Sequence, residues 1–153
     1  MPNGKPTIAF IGFGEAGQAI AAGLREAGVE TLTAWDILFP DSRGEKLKTA
    51  ATASGVRCAV SAADAVRDAA LIVSAVTAAS SVEAVQSIKE HLAGAPYVLD
   101  INSVSPGRKQ ETAKLLGDAG RYVDVAILAP ISLSVGAQLE SDEFRTGSLT
   151  GLC

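Results

Sequence analysis

Short apolar runs alternate with longer amphipathic segments along most of this chain. An apolar, β-branched run is typical of a buried strand, whereas apolar residues spaced three and four apart indicate one face of a helix. Six runs predict strands, at residues 7–11, 31–35, 56–60, 71–76, 97–101 and 121–127. Helices are predicted between them, at residues 15–27, 41–54, 81–92 and 106–116, with a short one capped by Ser61 and the last capped by Ser105.

The alternation of apolar strands with amphipathic helices predicts the fold class. Strands that are apolar almost throughout belong to a parallel sheet covered on both faces. Right-handed crossovers then favour an α/β doubly wound sheet of Rossmann type, with strand order 3-2-1-4-5-6. The pattern ends after Pro130, so we expect one domain over residues 1–130 and a tail of uncertain structure over residues 131–153.

Composition narrows the classes of partner. The chain has 153 residues, the size of one domain, and a formal net charge of -4 with no basic stripe, which makes a nucleic-acid partner unexpected. Cys58 and Cys153 do not form a disulfide framework, and no cluster of cysteines and histidines predicts a metal site. The longest apolar stretch, residues 69–79, is too short to span a bilayer, and the polar N-terminus is unlike a signal peptide. We therefore expect a cytoplasmic protein without a membrane partner.

A glycine-rich segment, Gly12-Phe13-Gly14-Glu15-Ala16-Gly17, directly follows the first predicted strand and opens the first helix. It matches the pattern Gly-x-Gly-x-x-Gly, and this strand-to-helix context is what gives the pattern weight. Gly12 allows the tight turn, Gly14 lets the backbone approach a pyrophosphate, and Gly17 lets the helix pack closely on the sheet. The segment predicts a dinucleotide site, with the diphosphate at the helix N-terminus.

Asp36, at the end of the second predicted strand, bears on the choice of dinucleotide. A carboxylate at this place accepts hydrogen bonds from an adenosine ribose and repels a 2′-phosphate, which favours NAD over NADP. Three basic residues downstream keep NADP open, because they would neutralise a phosphate if the loop folds back: Arg43, Lys46 and Lys48.

The segments 8–17 and 100–106 carry a resemblance to a known family. Ile8-Ala9-Phe10-Ile11-Gly12-Phe13-Gly14-Glu15-Ala16-Gly17 resembles the opening of the 3-hydroxyacid dehydrogenases, the family of 3-hydroxyisobutyrate and 6-phosphogluconate dehydrogenases. The segment Asp100-Ile101-Asn102-Ser103-Val104-Ser105-Pro106 is similar to the family's substrate-binding Asp-x-Ser-Thr-x-x-Pro segment. The resemblance implies that Asn102 and Ser103 bind substrate and that Val76 and Thr77 lie along the nicotinamide ribose. Considered without the family, the Asn102 segment is equally well a serine-rich helix cap.

The resemblance covers residues 7–130. The family has a second domain that has no counterpart in this sequence. The family continues into a helical domain that supplies a catalytic lysine and the usual dimer interface, whereas no lysine follows the sixth predicted strand here. The sequence therefore suggests the cofactor half of an oxidoreductase acting on a small hydroxyacid-like substrate, with the helical domain missing. Two alternatives stay open: a non-catalytic NAD(P) or nucleotide-binding module, and a methyltransferase-like domain that holds S-adenosylmethionine.

Overall fold

A computed structural model of the chain describes residues 6–127, which form a six-stranded parallel sheet with the order β3-β2-β1-β4-β5-β6. The predicted doubly wound fold and its strand order are confirmed. The strands are β1 (Ile8–Ile11), β2 (Leu32–Trp35), β3 (Arg57–Cys58), β4 (Leu71–Ser74), β5 (Tyr97–Asp100) and β6 (Arg121–Asp124). The predicted tail over residues 131–153 lies outside the described residues.

The helices cover both faces of the sheet. They are α1 (Glu15–Glu26), α2 (Glu45–Ala53), α3 (Ala62–Val66), α4 (Ser81–Ile88) and α5 (Pro106–Leu116). Alternate residues of β1 point to opposite sides: Phe10 belongs to one apolar core with α1 and α2, and Ile11 to another with α3, α4 and α5. Ser61 and Ser105 cap α3 and α5 through the backbone amides three residues on, as predicted.

Several elements are shorter than the sequence predicts. The strand predicted at 56–60 is reduced to β3. Beyond β3, the Ala59 amide still donates to the Ala34 carbonyl of β2, and the Val60 amide donates to the carboxylate of Asp64. The helix predicted at 81–92 ends at Ile88 and continues as a 3-10 turn over Lys89–His91. The helix predicted at 41–54 begins as a 3-10 turn over Ser42–Gly44, capped by Asp41. Within residues 6–127, none of the helices has the length and apolar character that a membrane crossing requires.

Candidate functional site

The residues that the sequence singles out all lie at the carboxyl edge of the sheet. The turns that follow β1, β2, β4 and β5 leave the sheet at this edge, because all the strands are parallel. The chain reverses its direction of winding between β1 and β4, and ligands of doubly wound folds bind outside the sheet at that point. The site is therefore built from four turns around the end of β1.

Gly12 and Gly17 are required by close packing. Gly12 has φ +90°, and a Cβ atom added there would lie 2.2 Å from the carbonyl oxygen of Ala75. A Cβ atom at Gly17 would lie 2.9 Å from the carbonyl oxygen of Gly12. The turn after β1 is thus pressed against the turn after β4 on one side and against α1 on the other.

Gly14 differs from these two glycines because it faces open space. It is the N-cap of α1 and has extended backbone, with φ −72°. A Cβ atom built at Gly14 would meet no atom within 4 Å. The amides of Glu15, Ala16 and Gly17 lie in the first helical turn, where no carbonyl of the same helix can accept from them. Backbone donors therefore face a space that an anionic group can enter.

Only the backbone of the glycine-rich segment is suited to an anion. The Phe13 side chain is fully buried and packs edge-on against Phe10, with 5.9 Å between ring centroids. The Glu15 side chain is exposed and carries negative charge, so its contribution to an anion site is its amide. In the predicted segment, main-chain amides are therefore the groups available to an anion.

Asp36 connects the turns after β1 and β2. Its Oδ2 accepts from the Phe13 amide at 2.8 Å, and its Oδ1 accepts from the Leu38 amide at 2.9 Å. Each carboxylate oxygen has two lone-pair sites, so each can still accept one hydroxyl donor. The sequence predicts Asp36 as a ribose ligand and does not reveal that it also holds the glycine-rich turn.

Two of the basic residues downstream of Asp36 have acidic partners. Arg43 pairs with Asp41 at 3.1 Å, and Lys48 pairs with Glu45 at 2.7 Å. Hydrogen bonding from Arg43 holds the pKa of Asp41 below its usual range. A 2′-phosphate would have to compete with these carboxylates for both cations.

A buried polar cluster occupies the ends of β4, β5 and β6. Asp100 is 1% exposed and stands in register with Ser74 on β4 and Asp124 on β6. Its carboxylate accepts from the Asn102 amide at 3.0 Å, from Asn102 Nδ2 at 2.7 Å and from the Tyr122 hydroxyl at 2.8 Å. Burial, reinforced by the neighbouring Asp100 carboxylate, raises the pKa of Tyr122, so its hydroxyl remains a donor.

Lys109 completes this cluster from the first turns of α5. Its ammonium donates to the Asp100 carbonyl at 2.8 Å and pairs with the carboxylates of Asp124 at 2.7 Å and Asp100 at 3.4 Å. One of its three donors makes this hydrogen bond, and its charge is paired with the two carboxylates. Lys109 therefore links α5 to the ends of β5 and β6.

The residues predicted to bind substrate and nicotinamide separate into buried and exposed groups. Asn102 is 6% exposed, and its side-chain oxygen accepts from the Val76 amide at 2.8 Å. Ser103 and Thr77 are exposed, and Thr77 donates to Ser80 at 3.1 Å. Val76 packs against the core beside α4. The exposed pair is open to a ligand, whereas the amide of Asn102 is engaged by the protein.

Sequence analysis missed Lys109, Tyr122 and the role of Asp100. One signal was present: three neighbouring strands each end in a polar residue, Ser74, Asp100 and Asp124. Buried polar groups need hydrogen-bond partners, so three polar strand ends side by side predict a donor from a neighbouring helix. Among the described residues, no three histidine, cysteine, aspartate or glutamate side chains are grouped so that they could hold a metal ion.

Comparison with known proteins connects this site to oxidoreductases. The sequence profile of the family described as NADP oxidoreductase, coenzyme F420-dependent, matches residues 7–103. A conserved hypothetical protein from Sinorhizobium meliloti 1021 superposes with a TM-score of 0.78 at 33% identity, over 84% of this chain and 44% of that one.

Two further structures relate the chain to known enzymes. A conserved protein of unknown function that resembles 3-hydroxyacid dehydrogenases superposes with a TM-score of 0.69 at 30% identity, over 82% of this chain and 45% of its own. A variant of an imine reductase from Myxococcus stipitatus in complex with NAD+ superposes with a TM-score of 0.67 at 26% identity, over 83% of this chain and 42% of that one. The chain spans less than half the length of each of these proteins. The similarity to 3-hydroxyacid dehydrogenases that the sequence suggests is confirmed, as is the NAD(P)-binding type of the domain.

Proposed function

Because this chain belongs to the family of NADP oxidoreductases described as coenzyme F420-dependent, we propose that it is the cofactor-binding part of an oxidoreductase that uses a nicotinamide dinucleotide. The substrate we propose is a small hydroxyacid-like molecule, and the cofactor domain extends over residues 1–130. The observation that carries the proposal is Gly14, whose missing side chain faces open space at the start of α1, where the first amides have no acceptor within the helix.

The diphosphate is bound by main-chain groups at the start of α1. The amides of Glu15, Ala16 and Gly17 donate to its oxygens, and the positive end of the helix dipole favours its charge. Gly14 makes room for this approach, since any side chain there would project into the same space. Asp36 keeps the turn in shape through the Phe13 amide.

The adenosine half lies over β2 and β3. The ribose hydroxyls donate to the free lone pairs of Asp36, which places the attached base near the residues that follow these two strands. Two large apolar side chains are exposed there, Ile37 at 83% and Val60 at 82%. A planar base that covers them removes apolar surface from water, which is favourable. Trp35, at the end of β2, is half-buried and packs edge-on against Phe39.

The nicotinamide half lies over β4 and β5, where Thr77 and Ser103 offer hydroxyl groups to cofactor and substrate. When bound, the nicotinamide supplies the hydride donor or acceptor. The residues of this chain bind and orient it, and we assign Lys109 no role as the general acid, because its ammonium is paired with Asp124 and hydrogen-bonded to the Asp100 carbonyl inside the fold. The proton donor for catalysis, and the interface of a dimer, are expected from the part of the relatives that this chain does not span.

Substitution of Gly14 tests the proposal directly. In Gly14→Asp, the new carboxylate can cap α1 by accepting from its first amides, so the stability of the fold should be kept. The same carboxylate occupies the diphosphate position and repels it. We expect wild-type protein to bind NADH in calorimetric titration and Gly14→Asp to lose at least about 100-fold in affinity, since two like charges brought together in a binding site cost several kcal/mol.

Gly94→Asp is the matched control, because it adds the same charge in open space before β5, at the opposite edge of the sheet. It should bind NADH as wild type does. Titration with S-adenosylmethionine and ADP distinguishes the other open functions. Wild-type protein that binds S-adenosylmethionine and no dinucleotide would overturn the proposal.

Asp36→Asn tests the preference for NAD. The substitution removes the negative charge that opposes a 2′-phosphate and replaces one acceptor of a loop amide with an NH2 group. Loosening of the loop would weaken the binding of NADH and of NADPH to the same extent. The ratio of their dissociation constants therefore reports only the effect of removing the charge. We expect this ratio to move toward NADPH by about tenfold, the effect of one nearby charge. Glu26→Gln, which removes a charge from the far end of α1, should leave the ratio unchanged.

A further inference from the structure

A continuous series of contacts runs from the glycine-rich turn to the buried cluster under β5. Gly12 packs against the carbonyl of Ala75, and the next amide along the chain, that of Val76, donates to Asn102 Oδ1 at 2.8 Å. Asn102 in turn lies on Asp100. The turn after β4 is therefore held between the first glycine on one side and one asparagine side chain on the other.

The orientation of the Asn102 side chain is fixed by its neighbours. Its Nδ2 donates to Asp100 Oδ1 at 2.7 Å and to Ser74 Oγ at 3.1 Å. A carboxylate only accepts hydrogen bonds, so a flipped amide would place oxygen against oxygen there. Asp100 is itself held by Tyr122 and Lys109. The side-chain oxygen of Asn102 consequently has one direction in which to point, toward the Val76 amide.

We propose that Asn102 is a positioning residue that fixes the peptide between Ala75 and Val76, against which the nicotinamide half of the dinucleotide binds. The assignment rests on the proposed function. A dinucleotide crosses the sheet edge where the winding reverses, so one half lies beyond β4, over the turn that Asn102 holds. Asn102 then acts through Val76, and Ser103 beside it is the side chain that meets the substrate.

The test compares two ligands on the full 153-residue chain. ADP carries the adenosine and diphosphate groups, whereas NADH adds the nicotinamide half. Asn102→Ala removes the acceptor of the Val76 amide and should weaken NADH binding about tenfold, the effect of one buried hydrogen bond. The affinity for ADP should be unchanged. The fluorescence of bound NADH should also shift toward that of the free ligand.

Thr112→Val is the matched control. Thr112 is 1% exposed and donates only within its own helix, so the substitution disturbs the same region without touching Val76. Its NADH and ADP affinities should both equal those of wild type. Equal losses for NADH and ADP in Asn102→Ala, or no loss of either, would overturn the positioning role. Wild-type protein that binds neither ligand would instead overturn the proposed function.

A measurement on wild-type protein covers the case in which Asn102→Ala does not fold. The backbone amide of Val76 and the side-chain NH2 of Asn102 each give a resolvable nuclear magnetic resonance signal. Addition of NADH should shift both signals, and addition of ADP should shift neither. Shifts of the same size with the two ligands, or none with NADH, would contradict the assignment.

Discussion

Gly12→Ala should destabilise the fold by about 2–6 kcal/mol, from two additive causes. An alanine at φ +90° occupies a backbone region that costs non-glycine residues about 1–3 kcal/mol. The new methyl would also lie 2.2 Å from the Ala75 carbonyl oxygen and 2.7 Å from its carbon, so main chain would have to move. Overpacking of this kind costs a further 1–3 kcal/mol or so. Urea unfolding followed by circular dichroism measures the loss.

Gly94→Ala separates the two causes. Gly94 has φ +74°, and a Cβ atom there would meet no atom within 4 Å. It should therefore lose only the conformational part, about 1 kcal/mol. A Gly12→Ala variant no less stable than Gly94→Ala would show that the turns after β1 and β4 do not press on one another as described.

The fold was predictable from the sequence because its local patterns agree. The β-branched runs, the helical spacing of alanines and leucines, and the caps at Ser61 and Ser105 all favour the same elements, and parallel crossovers then leave few strand orders. The glycine-rich segment was predictable for the same reason, because a tight turn from a strand into a helix requires glycines at fixed spacing. Strand ends were less predictable, because an apolar run does not show where the chain turns away from the sheet: Val60 belongs to the apolar run after Arg57, yet it is 82% exposed and its amide donates to Asp64.

The second role of each polar site residue was not predictable. Asp36 holds the Phe13 amide 23 positions away, and Asn102 holds the Val76 amide 26 positions away. Such bonds depend on the register of neighbouring strands and on side-chain direction, which one sequence does not encode locally. The spacing within α5 likewise gives no sign that Lys109 turns inward. A buried lysine is rare unless it is paired, and Lys109 is buried because Asp100 and Asp124 pair with its ammonium.

Removal of the Lys109 ammonium should have the other large effect on stability. In Lys109→Met, the apolar stem of the side chain is kept while the pairing with Asp100 and Asp124 is lost. Asp124 is 59% exposed, so water can solvate its carboxylate. Asp100 is 1% exposed and would retain a buried charge held only by Asn102 and Tyr122. Breaking one side of a buried pair costs about 3–5 kcal/mol, and the donors that remain favour the lower end.

A double-mutant cycle shows whether the lost stability belongs to the uncompensated charge. Asp100→Asn removes that charge while it keeps an oxygen that can accept from the Asn102 amide. If the charge is the cause, the double variant Lys109→Met with Asp100→Asn should be more stable than Lys109→Met alone, with a coupling of about 1–3 kcal/mol. Strictly additive losses would mean that Lys109 acts through packing of its stem against β5 and β6. In that event, the row of polar strand ends would be held by hydrogen bonds alone.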